Sequence, residues 1–261
     1  FMKKIDPAQI DRLPGQRLTP GETFCFSCHP GIGCFNRCCR NLNLFLYPYD
    51  VVRLKKRLDI SSSRFLEEYV EVVLREGSHF PDVLLRMADN AEHTCPFLTD
   101  RGCSVYEDRP DTCRTFPVEQ GLMYGEEGAE PIQVHFFRPP DFCLGQNEET
   151  VWTLETWADD QEAKLYNRMT AEWARIRSLF LNDPWGIEGP EGPRAKMAFM
   201  AAYNIDAFRE FVFGSTFLKR FKIKKDLQRK FRRSDLELLK LGFEWIRFYL
   251  WKIPSDYFNP R

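Results

Sequence analysis

The nine cysteines constrain this chain more than any other feature. They stand at positions 25, 28, 34, 38, 39, 95, 103, 113 and 143 of 261 residues, and none follows. Five of them fall between residues 25 and 39, far above chance, and an odd total cannot be consumed entirely in disulfides. The opening Phe1-Met2-Lys3-Lys4-Ile5-Asp6-Pro7 carries no apolar stretch of the kind that directs export, so a cytoplasmic, reducing location is expected. In that setting clustered cysteines serve metal or redox chemistry more often than a disulfide frame.

The cysteine distribution also divides the chain. Residues 1–146 are expected to form a cysteine-cluster metal-binding region and residues 147–261 a helical region, the two free to pack as one unit. A hydrophobic content of 43% with 15% aromatics supports a packed core over disorder. The net charge of −1 gives no overall pull toward nucleic acid or acidic lipid. The most apolar late stretch, Leu241 to Ile253, is interrupted by Glu244, Arg247 and Lys252, so no transmembrane segment is expected.

Pro20, Gly21, Pro30, Gly31 and Gly33 make residues 15–40 a turn-rich loop. A helix is expected from Pro48 through Leu58, and a second from Ser63 to Arg75, with serines as N-caps and Gly77 as the stop. Cys95 to Pro117 reads as turns and short extended pieces, and Gln133 to Phe137 as a strand. Thr156 and Asp159 have capping-box spacing ahead of Leu165, Met169, Trp173, Ile176 and Phe180, a helical pattern that Asn182-Asp183-Pro184 ends. Asp206 is placed to cap a helix through Phe208, Phe211 and Val212. Ser234 and Glu237 open another, with Leu236, Leu239, Phe243, Ile246 and Leu250 as its apolar stripe. The fold expected is mainly α, with an irregular cysteine-rich metal-binding region and a few short strands.

Soft thiol ligands converging on one point suit zinc and iron–sulfur clusters alike. Gly31 and Gly33 allow the loop to turn around such a point. If the backbone at Cys38-Cys39 is extended, their side chains face opposite ways and one thiol can serve each of two sites. Four thiolates around a divalent metal or an oxidised cubane cluster leave net negative charge. Arg109 and Arg114, flanking Cys113, are candidates to offset it and to donate hydrogen bonds, although surface ion pairing would explain both as well.

The CysCys pair at 38–39, followed by Cys95-Pro-Phe-Leu, Gly102-Cys-Ser-Val-Tyr, Arg109-Pro and Cys113-Arg-Thr-Phe-Pro, resembles the YkgJ-type CxxCxxCC cysteine-cluster family over residues 24–146. The resemblance implies zinc or iron chelation by eight cysteines: Cys28, Cys34, Cys38, Cys39, Cys95, Cys103, Cys113 and Cys143. The spacing here departs from the compact signature, running Cys28-x5-Cys34-x3-Cys38-Cys39, and Cys25 is an extra thiol. Eight thiols complete two four-cysteine sites, or one cluster plus one mononuclear metal. A bacterial flagellin lysine methylase resembles this family in its cysteine cluster, which implies an enzymatic precedent.

Other readings of the cysteines are weaker. A thioredoxin-like role for Cys25-x2-Cys28 needs a helix that Pro30, Gly31 and Gly33 oppose. The ferredoxin run is echoed but interrupted before Cys34. The radical-enzyme CxxxCxxC pattern fails at Asn41. Irregular spacing and the single CxxC favour an iron–sulfur cluster, of the 4Fe-4S kind, or iron over zinc. His29 is a substitute ligand candidate, whereas His79, His93 and His135 lack ligand spacing.

Outside the cysteines, the basic stretch from Lys219 to Arg233 is read as a solvated amphipathic face, and nucleic acid is not an expected partner. No phosphate-binding glycine loop, HExxH or serine–histidine–carboxylate set stands out. Three functions follow: an iron–sulfur or iron protein with a redox role, a structural zinc-binding module mediating protein interaction, or a cluster-dependent methyl-transfer or modifying enzyme. The partner, protein or small molecule, is left open.

Overall fold

The computed structural model describes residues 3–123 and 131–261; the Phe1-Met2 start lies outside them. The chain is mixed and helix-dominant, with several small sheets. Among the described residues, no helix is long and apolar enough to cross a membrane.

Two compact units are present, and both are discontinuous in sequence. The first comprises residues 1–45 and 85–175, the second 46–84 and 176–261. Residue 146, where composition alone placed a boundary, lies within the first unit, which contains all nine cysteines. Counting Lys and Arg against Asp and Glu gives 14 − 21 = −7 for the first unit and 23 − 17 = +6 for the second. The near-neutral whole thus conceals opposite charges.

The first unit is built on a four-stranded sheet in which Val118–Met123 and Ile132–Phe137 pair antiparallel at its centre. Lys3–Ile5 adds in parallel on one side and Gln16–Leu18 antiparallel on the other. Alternation sends Val134 and Phe136 to one face, where they pack with Ile5 and Ile10. Val118 and Phe137 face the other way, in a cluster with Phe24, Phe26, Trp157 and Cys143. A separate ribbon pairs Thr23–Cys25 with Val151–Thr153.

The helix expected after residue 156 is two helices. Leu154–Asp160 starts one turn earlier, capped by Thr153 with Thr156 in the capping box, and Lys164–Leu179 follows. The break is held at Glu162, in left-handed backbone (φ 51°), and it turns the Gln161 carbonyl toward Arg114. A long-range contact outweighs helix propensity here.

In the second unit, Asp235–Trp251 is the central helix, packed by Pro48–Arg57, Pro193–Tyr203, Ile205–Gly214 and Lys225–Arg233. Ser234 caps it as expected, through the Glu237 amide. The stripe residues Leu239, Phe243, Ile246 and Leu250 are buried, joined by Leu238, Leu241 and Trp245, so burial extends well beyond one stripe. Gly242 lets this helix approach Pro193–Tyr203 so closely that an added Cβ would collide with the Ala201 carbonyl oxygen. Pro48 opens its helix at the first position, with Asp50 accepting from the Tyr47 amide at 2.8 Å.

The expected Ser63–Arg75 helix ends at Tyr69. Val70–Val73 instead forms a strand paired with Asp82–Leu85, as suits its β-branched residues. Asn204, rather than Asp206, caps Ile205–Gly214. Asp206 instead accepts from Lys55 Nζ at 2.8 Å and the Ser62 amide at 2.7 Å. Lys55 also meets Asp235 at 3.2 Å, and Asp235 pairs with Arg209. Burial pushes the Asp206 carboxyl up, but hydrogen bonds from Lys55 and Ser62, with the Lys55 charge, outweigh it and hold the pKa below its usual value. In Lys225–Arg233, Phe231 is buried while Lys225, Arg229, Lys230, Arg232 and Arg233 are exposed, the solvated amphipathic arrangement expected.

Candidate metal centre

Three remote segments bring Cys28, Cys34, Cys38, Cys39, Cys95, Cys103 and Cys143 into one region. Cys25 stands on the strand Thr23–Cys25 and Cys113 on the short helix Asp111–Thr115. Residues 25–41 meet residues 88–95 through the Cys95 amide on the Cys39 carbonyl (2.8 Å), the Asn41 amide on His93 (2.9 Å) and a bridge between Arg40 and Thr94. Arg40 also pairs with Glu92 at 3.2 Å. Residues 143–152 reach the same place from the other side. There the Ser27 amide donates to Gly145 at 3.1 Å and Trp152 Nε1 to Phe26 at 2.8 Å. Gly145 is required at this approach, because an added Cβ would stand 2.6 Å from the Ser27 carbonyl and 2.7 Å from the Phe26 ring.

None of the nine cysteines is joined in a disulfide. Cys34 Sγ accepts from the Leu144 amide at 3.2 Å, which ties the first cluster to the residue after Cys143. Desolvation raises the Cys28 thiol to about 11, and Cys38, Cys34 and Cys143 each add to the rise. Cys143 is raised by burial and then by Cys34 and Cys38. Cys28 and Cys143 thus each feel the thiols of Cys34 and Cys38.

A second group adjoins these thiols at Cys38. Hydrogen bonding to Cys39 is the first cause of the strong upward shift of Cys38, followed by burial. Desolvation raises Cys95 to about 11, with smaller contributions from Cys103 and Cys38. The antiparallel pairing of Leu98 with Cys103 brings Cys103 back beside the Cys95 turn.

Two sulfurs carry backbone donors in the same way. The amides of Phe97 and Leu98 stabilise the Cys95 thiolate, and those of Gly145 and Gln146 the Cys143 thiolate. Paired amides two and three residues after a cysteine orient sulfur and lower the cost of its negative charge.

Two local expectations are corrected. Cys38-Cys39 lies in a short 3-10 turn, Arg37–Cys39, and the two thiols hydrogen-bond to each other instead of facing opposite ways. The left-handed positions that turn the loop are Asn36 (φ 64°) and Asn41 (φ 51°), not Gly31 or Gly33. Asparagine tolerates this backbone better than most residues, which hid the turn from a search for glycine.

Arg109 and Arg114 donate to protein groups. Arg109 reaches the Tyr106 carbonyl at 2.6 Å and Gln161 Oε1 at 2.7 Å, and lies over the Tyr106 ring. Arg114, 2% exposed, reaches the carbonyls of Gln161 (2.5 Å) and Glu107 (2.6 Å) and stacks on Tyr166. Desolvation lowers the Arg109 pKa, while Cys113 is among the groups whose charge favours its ionised form. Together they brace the short helix Asp111–Thr115 that carries Cys113. Asp111 at its start is wholly buried, and desolvation raises its carboxyl to about 6 against the lowering pull of Thr170 and Arg114. Sequence reasoning missed Gln161 and Tyr166, whose part depends on the helix break.

His29 is committed elsewhere: Nδ1 accepts from the Gly31 amide at 3.2 Å and Nε2 faces Glu148 at 3.6 Å. Cys25 is exposed at the end of its strand, opposite Val151.

Among the described residues, no three Cys, His, Asp or Glu side chains already stand as a ready group for a metal ion. The thiols are gathered without a finished coordination shell. Their donor chemistry fits a soft metal all the same, since crowding and burial resist ionisation until a cation offsets the charge.

Residues 27–144 match the model of the CxxCxxCC family, described as a putative zinc- or iron-chelating domain. The match contains Cys28, Cys34, Cys38, Cys39, Cys95, Cys103, Cys113 and Cys143 and leaves Cys25 outside. No curated protein and no solved structure matches the chain. The cysteine-bearing segment, residues 27–144, is thus a domain of the CxxCxxCC family.

Proposed function

We propose that the thiols of the first unit hold an iron–sulfur cluster, or iron, in a protein with a redox role. The observation that carries this reading is that the Leu144 amide binds Cys34 Sγ and that Cys34 and Cys38 raise the thiols of both Cys28 and Cys143, four thiols drawn from two distant segments. They would supply one set of four ligands. Cys39, Cys95 and Cys103 adjoin it, and Cys113 is the remaining thiol of the eight.

When bound, an iron–sulfur cluster supplies one-electron transfer. The chain's own contribution is to fix and insulate the sulfurs. The Leu144 amide binds Cys34, paired amides serve Cys95 and Cys143, and Phe24, Phe26 and Trp157 pack around Cys143. Hydrogen bonds to sulfur and exclusion of water are the levers by which proteins set such a centre's potential.

Zinc held as a structural module that supports protein interaction is the second reading. The hairpin joining Cys95 to Cys103 favours it, since closed thiolate zinc sites use such compact turns.

Metal analysis and electron paramagnetic resonance on protein purified without oxygen separate the two. The iron–sulfur reading expects about four iron per cluster with matching sulfide, and a signal on one-electron reduction. Stoichiometric zinc with no signal would replace it by the second reading. Protein free of both metals would defeat each.

A further inference from the structure

We infer that the basic stretch of the second unit binds the phosphate backbone of duplex DNA without reading its sequence. This inference is independent of which metal the thiols hold.

The charge of the whole chain hides this surface. Its net −1, which gives no pull toward nucleic acid, combines a unit at −7 with one at +6. At physiological salt a charge is felt over about 8 Å, so local density decides what a surface attracts. Residues 219–233 hold nine Lys and Arg against Asp226 alone, and all nine are exposed.

Elsewhere in the unit cations are paired. Asp82 holds Arg75 and Arg177, while Asp206 and Asp235 hold Lys55 and Arg209. Among the described residues, none of the nine enters an ion pair, and Arg232 lies over the Phe213 ring. Lys225, Arg229 and Arg233 follow at four-residue spacing along Lys225–Arg233. Like charges therefore stand one above another on the helix, which costs stability until an anion lies beside them.

The fold holds these charges in place. Phe231 anchors the helix from its buried side, and the strand Phe221–Lys222 is pinned by Asn259–Pro260. The Arg261 amide also donates to the Arg220 carbonyl at 2.9 Å.

The rest of the stretch selects the partner. Phe217, Phe221, Ile223 and Phe231 are buried, and Leu218 and Leu227 are half-buried. The exposed side is thus charge without an apolar residue. A bilayer would gain no inserted apolar face here, which interfacial helices add to their charge. Single strands stack their bases on exposed aromatic rings. Protein interfaces centre on aromatic and apolar anchors and are poor in lysine. A phosphate backbone requires only Lys and Arg at fixed positions. The major groove of DNA also admits an α-helix, whereas that of A-form RNA is too deep and narrow.

The test is fluorescence anisotropy of short labelled DNA duplexes, in two unrelated sequences, titrated with the full chain as purified. Both should bind alike. If about four phosphates are neutralised, affinity should fall about a hundredfold as salt rises from about 50 to 200 mM. Arg229→Glu with Lys230→Glu should weaken binding at least about tenfold and flatten the salt slope by about two. Arg12→Glu with Lys196→Glu changes the net charge equally at exposed positions off the stretch, and should bind as the unaltered chain does. Should the first variant unfold, the salt slope and competition on the unaltered chain decide the matter. No binding at low salt or an equal loss in the two variants would overturn the inference. So would stronger competition from single-stranded DNA, or from vesicles of equal phosphatidylserine and phosphatidylcholine.

Discussion

The two units show different ways to hold a chain in place. The second buries a continuous aromatic group, in which Phe217, Phe221, Trp245, Phe248 and Phe258 meet ring to ring, and adds the Lys55–Asp206–Asp235–Arg209 network. Its helices are long enough to present broad apolar faces. The cysteine segments of the first unit consist mainly of turns, a two-residue hairpin and a five-residue helix, none of which buries much surface by itself. Burial can fix the second unit unaided, whereas the cysteine loops rely on backbone stitching and on whatever joins their sulfurs. On the proposed reading that missing bond is a metal.

The largest expected effect follows from this contrast. Structural thiolate–metal sites contribute on the order of 10 kcal/mol. Removing the metal with a chelator should therefore accelerate hydrogen exchange in residues 26–41, 95–103 and 143–150 by several decades while leaving residues 235–251 unchanged. Equal loosening of both regions would erase the distinction. The reverse perturbation is Trp245→Ala, which should cost about 3–5 kcal/mol in chemical denaturation. It should leave metal content untouched.

A matched pair of glycine changes sharpens the comparison. Gly145→Ala and Gly242→Ala each force a Cβ against a carbonyl oxygen, at Ser27 and Ala201 respectively. Each should cost about 2 kcal/mol by overpacking. Only Gly145→Ala should also weaken metal retention in a chelator competition, because that approach sets the Cys143 turn.

Smaller still is Asp206→Asn, at about 1 kcal/mol near neutral pH once the partial exposure of the carboxylate is allowed for. The Asp206 pKa is depressed in the folded state, so its contribution is present above the unfolded carboxyl pKa, near 4. It should be lost as pH falls through the lower folded value. Denaturation of both proteins at pH 7 and at acid pH would reveal the converging difference. The smallest effect belongs to Lys230→Glu, an exposed position on the basic helix, expected to change stability by no more than about 0.5 kcal/mol.

The sequence made the local features legible and the long-range ones obscure. The Pro48 and Ser234 helix starts, the strand ending at Phe137 and the CxxCxxCC motif all depend on residues a few places apart. The tie between Cys34 and Leu144 spans 110 residues, and no spacing rule announces it. The parallel pairing of Lys3–Ile5 with Gly121–Met123 is equally remote. Where local preference was overruled, a distant partner is visible. The helix breaks near Glu162 as the Gln161 carbonyl meets Arg114, and Val70–Val73 becomes a strand because Asp82–Leu85 offers a ladder. The two arginines flanking Cys113 were recognisable as cations, but their hydrogen-bond partners became apparent only with Gln161 in place.

X-ray absorption at the iron or zinc edge of oxygen-free protein tests the shared inorganic centre most directly. The account expects a first shell of about four sulfurs at about 2.3 Å. The sulfur count should fall when Cys28, Cys34, Cys38 and Cys143 are replaced by serine. A shell dominated by nitrogen and oxygen, or a sulfur shell unchanged by those four substitutions, would contradict it.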